Sequence, residues 1–122
     1  MNYNETLSFL FSQLPMFQRI GKAAYKANLD NTIALDKYFN YPHKSFKSIH
    51  IAGTNGKGST ASFLKEIFEA HNYSVNVYTS PHLINFNERI RINKSFISNR
   101  ELINILEEIE SINKNNPITF FE

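Results

Sequence analysis

The stretch best equipped for chemistry is Gly53-Thr54-Asn55-Gly56-Lys57-Gly58-Ser59. Three of the chain's 4 glycines fall here, after the apolar run Ile49-His50-Ile51-Ala52 and ahead of a helical pattern. Glycine tolerates positive φ and lets backbone approach a ligand closely, and successive N–H groups at a helix N-terminus form a concave anion site. A nucleotide phosphate is the natural guest, with Lys57 as the cationic clamp and the hydroxyls of Ser59 and Thr60 close behind. The strict pattern G-x-x-x-x-G-K-[ST] is not met, because Ile51 stands where its first glycine would be and Gly58 follows Lys57. The competing reading is a glycine-rich turn between strand and helix, but the preceding strand, the lysine and the two hydroxyls favour a phosphate loop.

A second group of candidates lies in Thr79-Ser80-Pro81-His82-Leu83-Ile84-Asn85-Phe86-Asn87-Glu88-Arg89. Ser80 would end a strand, and in a parallel sheet that end faces the crevice holding the phosphate loop. It reads equally well as a hydroxyl opening a Ser-Pro turn. Glu88 and Arg89 are either ligand groups or a surface ion pair. His71 closes a helical stripe and is read as a C-terminal cap or core-edge residue rather than a ligand.

The elements that must position these groups follow from periodicity. Leu7, Leu10, Phe11 and Leu14 give a helix over 5–14 that Asn4 could cap and Pro15 ends. Residues 16–28 carry only weak periodicity. Asp30 can cap a helix to about Phe39, with Ile33, Ala34, Leu35, Tyr38 and Phe39 on its apolar side. Tyr41-Pro42-His43 breaks the chain, and residues 46–52 read as the first strand. Thr60, Phe63, Leu64, Ile67, Phe68 and His71 mark the helix after the loop, with Lys65, Glu66 and Glu69 opposite. Val75 to Thr79 reads as a second strand, so strand, loop, helix and strand make one βαβ unit with parallel strands. Arg89 to Asn93 alternates like an exposed strand. Ser98-Asn99-Arg100-Glu101 is a capping box ahead of Leu102, Ile105, Leu106, Ile109 and Ile112.

Composition narrows the class. At 122 residues, 42% hydrophobic and 14% aromatic, the chain is at most one small globular domain. Its net charge of +2 is too mild to point to nucleic acid. The excess of Arg19, Lys22, Lys26, Lys37, Lys44 and Lys47 over acids in the first half suits an anionic small molecule or a solvated surface. No cysteine is present, which removes thiolate metal sites and cysteine nucleophiles and fits a reducing, cytoplasmic setting. No apolar run approaches the ~20 residues of a membrane span, and no signal peptide is apparent.

A phosphate-loop enzyme needs an acidic residue at the end of another apolar strand to hold or orient Mg²⁺. After the loop only Glu122 could qualify, in Ile118-Thr119-Phe120-Phe121-Glu122. Two parallel strands are also too small a sheet to build a crevice. Residues 1–122 are therefore expected to be the first part of a longer enzyme.

Taken together, Gly53 to Ser59, Tyr78-Thr79-Ser80-Pro81-His82-Leu83 and Asn87-Glu88-Arg89-Ile90-Arg91-Ile92 strongly resemble dihydrofolate synthase/folylpolyglutamate synthase, in the Mur ligase superfamily. The resemblance extends through Leu29-Asp30-Asn31, Phe46 to His50 and Thr119 to Glu122, and it accounts for the departure from the generic loop. It implies an α/β, P-loop-type three-layer fold with a mostly parallel sheet. Residues 1–122 would form the N-terminal part of the ATP-binding domain, helices plus one βαβ unit, without the rest of that domain or the C-terminal domain. The implied activity is ATP-dependent ligation of L-glutamate to dihydropteroate or folates through an acyl phosphate, by a monomer without nucleic-acid or membrane partners.

The implied roles are ATP binding by Gly53, Thr54, Asn55, Gly56, Lys57, Gly58, Ser59 and Thr60, with Lys57 on the β- and γ-phosphates. Ser80, and more weakly Ser59, would ligate Mg²⁺. Thr119 and Phe121 resemble positions lining the pterin pocket, and Pro81, His82 and Arg89 belong to a loop beside it. Glu122 is not the family's magnesium glutamate, because the TxFE segment opens a helix ahead of that residue. A non-catalytic nucleotide-binding module and an inactive fragment are the competing readings.

Overall fold

The computed structural model describes residues 2–12 and 29–114. They fall into two compact units, one of residues 49–102 and the other of residues up to Ser48 together with those from Ile103 onward. Among the described residues the fold is α/β, helices with one small sheet. Among the described residues no helix is long and apolar enough to cross a membrane.

In the unit outside 49–102, α1 spans Tyr3–Ser12. Its cap is Asn2 rather than Asn4: the Glu5 amide donates to Asn2 Oδ1 at 2.9 Å, and the Asn2 amide donates to Glu5 Oε2 at 2.8 Å. Asn2 and Glu5 stand at the N-cap and N3 spacing that lets each satisfy the other's orphan donor. Thr6 and Leu10 are buried on one face, and the Thr6 hydroxyl donates to Asn2 O. Helix α2 spans Asp30–Tyr38. Leu29, not Asp30, is its N-cap, without a side-chain hydrogen bond, and Asp30 sits in the first turn, where its charge complements the helix dipole. Of the expected apolar side only Leu35 is buried, while Ile33 and Tyr38 are exposed. The break at Tyr41-Pro42-His43 is present, with Tyr41 at φ 56° and a 3₁₀ turn over Pro42–Ser45. Among the described residues of this unit, Leu10, Leu35, Leu106 and Ile112 are buried apolar side chains.

In the 49–102 unit, α3 spans Lys57–Ala70. His71 is its C-cap: the backbone amide donates to Phe68 O, and ring Nδ1 lies 2.7 Å from Ile67 O. Asn72, at φ 64°, then turns the chain, a conformation asparagine tolerates better than most residues. Strand β1 spans Asn76–Tyr78 and lies against α3. A 3₁₀ turn over Phe86–Arg89 leads into β2, Ile90–Ile92, and β3, Ser95–Phe96.

The parallel pair expected between residues 46–52 and 75–79 is not among the strands of the described residues. The order of the sheet is β1-β2-β3, and both pairings are antiparallel, with Val77 opposite Arg91 and Ile92 opposite Ser95. The β1–β2 connection has no crossover helix, only the loop and 3₁₀ turn of residues 79–89, so the chain returns alongside itself. Asn93, at φ 52°, opens the tight β2–β3 turn. Residues 46–52 form no strand among the described residues.

Helix α4 spans Asn99–Asn113 and starts at the expected capping box. The Ser98 amide donates to Glu101 Oε2 at 3.0 Å, and the Glu101 amide donates to Ser98 Oγ at 3.2 Å. Leu102 is buried, as are Leu106 and Ile112 further along, whereas Ile105 is exposed.

Candidate functional site

The glycine loop leads directly into α3, and its glycines have different reasons to be there. Gly53 has φ 154° and Gly56 has φ 78°, backbone that L side chains rarely adopt. Gly56 is the N-cap and has no side-chain capping bond. Gly58 lies in the first helical turn without positive φ, and an added Cβ would meet nothing within 4 Å. Neither backbone nor packing demands glycine at that position, which leaves its amide open to close approach.

The first helical hydrogen bond runs from the Thr60 amide to Gly56 O at 2.9 Å. The amides of Lys57, Gly58 and Ser59 therefore precede the intrahelical ladder and carry the positive end of the α3 dipole. The Lys57 ammonium folds back over the loop, donating to Gly53 O at 2.5 Å and Thr54 O at 3.2 Å. The Thr60 hydroxyl donates to Gly56 O at 2.9 Å, so it braces the helix start. Thr54, Asn55 and Ser59 are exposed. Three amides and a cation at one exposed helix start can hold a multiply charged anion.

The second group sits where β1 runs out. Ser80 is exposed, and the Ser80–Pro81 peptide bond is cis. The Thr79 amide donates to Arg89 O at 2.8 Å. Arg89 is only 8% exposed; its Nε donates to His82 Nδ1 at 2.9 Å, and its guanidinium lies 5.3 Å from the Phe86 ring centroid. With Nδ1 accepting, His82 carries its proton on Nε2.

Glu88 and Arg89 are not primarily a surface ion pair. The Glu88 carboxylate accepts from the amides of Leu83 at 2.9 Å, Ile84 at 3.0 Å and Asn85 at 2.7 Å. Those bonds, the Asn85 amide foremost and then that of Leu83, hold the Glu88 carboxyl below its ordinary value. Asn85 and Glu88 form a reciprocal capping box on the 3₁₀ turn. Buried Asn87 donates through Nδ2 to Ile97 O at 2.7 Å and Asn99 Oδ1 at 2.9 Å, which secures the turn to the start of α4. Sequence reasoning missed Asn85 and Asn87. The N-x-x-E spacing of Asn85 and Glu88 was the available signal for the first, whereas the partners of Asn87 are ten and more residues away.

The structure thus gathers Gly53 to Thr60 at one helix start and Ser80, His82 and Arg89 in one braced loop. Pro81 is exposed within that loop, and Thr119 and Phe121 lie outside the described residues. Among the described residues no group of three or more His, Cys, Asp or Glu side chains could hold a metal ion. Ser80 and Ser59 each offer one neutral oxygen, which fits Mg²⁺ only as part of a coordination sphere completed by phosphates and water.

No family model matches the chain. Curated relatives do match: the dihydrofolate synthase/folylpolyglutamate synthase of Bacillus subtilis is 36% identical over 89 residues, 73% of this chain and 21% of the relative. The folylpolyglutamate synthase of Lacticaseibacillus casei is 36% identical over 104 residues, 85% of this chain and 23% of the relative. Among solved structures, an FPGS–AMPPCP–folate complex superposes with a TM-score of 0.81 at 30% identity, covering 99% of this chain and 30% of that one. Folylpolyglutamate synthase from Thermotoga maritima gives a TM-score of 0.77 at 36% identity, covering 93% and 24%. The chain spans about a fifth of the length of the curated relatives it matches. In sequence and in fold, it belongs to the dihydrofolate synthase/folylpolyglutamate synthase family.

Proposed function

We propose that this chain supplies the phosphate-binding part of an ATP-dependent ligase that joins L-glutamate to dihydropteroate or folates. Residues 1–122 would be the N-terminal part of its ATP-binding domain. In the proposed reaction the substrate carboxylate takes the γ-phosphoryl group, giving an acyl phosphate. The glutamate amine then forms the amide bond, phosphate leaves with the C–O bond electrons, and the amine gives up a proton. Binding of AMPPCP and folate by a relative of the same fold supports this assignment.

The observation that carries the reading is the start of α3. The amides of Lys57, Gly58 and Ser59 and the Lys57 ammonium converge there, and no side chain at Gly58 obstructs them. Fixed donors aimed at phosphate oxygens stabilise charge as it develops, without reorganising during the reaction. Lys57 would exchange the carbonyls of Gly53 and Thr54 for the β- and γ-phosphates. The loop amides would hold the triphosphate, and Ser80, with Ser59 second, would offer a hydroxyl to Mg²⁺. That ion supplies charge neutralisation on the phosphates. Pro81, His82 and Arg89 would border the folate side, and Thr119 and Phe121 would line the pterin pocket.

The mostly parallel, three-layer P-loop architecture belongs to the same proposal. The exposure of Phe46 and Ile49 is in keeping with ladder partners for residues 46–52 in the rest of such an enzyme. The protein would work as a cytoplasmic monomer on small molecules. Isothermal titration with Mg·ATP tests the site: wild type should bind, and Lys57→Ala should bind at least about tenfold more weakly, as for loss of one charged donor. Absence of binding by wild type, or equal binding by both, would refute the phosphate-loop assignment.

A further inference from the structure

The loop between β1 and β2 carries Ser80 and packs His82 and Arg89 against the Phe86 ring near its base, but its crest stands in water. Leu83 is 92% exposed and Ile84 83% exposed, so the apolar side chains at its crest contribute almost no burial. The hydrogen bonds that reach its crest and span its base come from two consecutive residues at its far end. Both Glu88 oxygens are engaged, Oε2 by the Leu83 amide and Oε1 by the amides of Ile84 and Asn85. Arg89 closes the base through its carbonyl on the Thr79 amide and holds His82 through Nε. Ser80 lies between those two Arg89 contacts in the chain.

We propose that Glu88 is a positioning residue for the Ser80 hydroxyl, gathering three consecutive amides so that the loop presents Ser80 in one place. The inference rests on the role proposed above for Ser80. A carboxylate accepting several amide hydrogen bonds sets backbone geometry more rigidly than an exposed apolar crest can. Outer groups of this kind commonly change metal affinity 10- to 100-fold when lost. Glu88→Gln keeps the size of the side chain but exchanges one accepting oxygen for a donor. Either orientation of the new amide therefore abandons at least one of the three backbone amides.

The experiment uses the full chain and two readouts. Hydrogen exchange followed by NMR should show the amides of Leu83, Ile84 and Asn85 exchanging roughly tenfold or more faster in Glu88→Gln, as expected for loss of charge-assisted bonds. ATP titration with and without Mg²⁺ should show the metal's enhancement of affinity falling about tenfold in Glu88→Gln and in Ser80→Ala, with metal-free ATP affinity unchanged. Unchanged exchange in Glu88→Gln overturns the proposal, as does faster exchange with the Mg²⁺ enhancement intact. If Ser80→Ala alone leaves that enhancement intact, Ser80 is not a metal ligand and the positioning role fails with it. The Lys57 assignment is judged separately by metal-free ATP binding.

Discussion

Gly56 and Gly58 stand two residues apart and make opposite demands on the chain. At Gly56 the backbone is left-handed, φ 78°, so Gly56→Ala should cost about 1–2 kcal/mol in urea denaturation, the penalty of a Cβ in that region. At Gly58 the helix would accept a side chain, and Gly58→Ala should raise stability by up to about 1 kcal/mol on propensity. The same change should weaken ATP binding in titration, because the new methyl occupies the face that the amides present. A pair of substitutions that moves stability in opposite directions while both impair binding would separate backbone need from ligand need. Glu88 and Glu101 give the pH prediction. The amides around Glu88, and the Ser98 hydroxyl and then its amide at Glu101, lower both carboxyls. A lowered folded-state value means stabilisation is present above the unfolded value and is lost as pH falls through the folded one. Carboxyl NMR titration should give midpoints below that of a model glutamate peptide, with the turns at Asn85 and Ser98 opening only under acid below the ordinary glutamate range.

Helix α3 shows what periodicity can and cannot tell. The spacing of Thr60, Phe63, Leu64, Ile67, Phe68 and His71 correctly announces a helix and its end, yet Phe63 is 69% and Ile67 54% exposed while Lys65 is buried. A stripe records which side chains favour burial, and neighbours far along the chain decide which of them obtain it. The Lys65 ammonium bonds Glu69 Oε2 at 2.6 Å in compensation. Glu69→Ala should therefore destabilise by about 1–3 kcal/mol, since it leaves the buried Lys65 ammonium only the longer 3.9 Å contact with Glu66, whereas the double change Lys65→Met with Glu69→Leu should be close to neutral in thermal unfolding. The capping box at Ser98 and Glu101 was legible because both partners lie within one turn, yet the same spacing at Asn85 and Glu88 was passed over. At α1 the same rule belonged to Asn2, two residues before the expected Asn4. The antiparallel ladder was hidden because β1, β2 and β3 are two or three residues long, and alternation over so few positions does not reveal the partner strand. The glycine loop was the most legible part of the site, because its requirements are local. The braces on the second loop were not, because Arg89 and Asn87 reach residues distant in sequence.

For the molecule as a whole, a chain of these dimensions leaves much apolar surface in water. Within the 49–102 unit Ile49, Phe63, Ile67, Tyr73 and Tyr78 are all exposed, and exposed apolar surface of this kind favours association where it is contiguous. The isolated chain should bind a hydrophobic dye such as ANS and show concentration-dependent association by analytical ultracentrifugation. Phe63→Ser with Ile67→Lys should reduce both signals without loss of helicity. At the same scale, the hydrogen bond from the Thr79 amide to Arg89 O has a consequence for how such proteins can change. It brings the two ends of a surface excursion together at a fixed separation, so the register of β1 on β2 is set beneath it. Closure entropy rises by only about 0.6 kcal/mol for each doubling of loop length. Length added at the exposed crest should accordingly cost little in closure entropy, while the junction keeps the β1–β2 register that bears it.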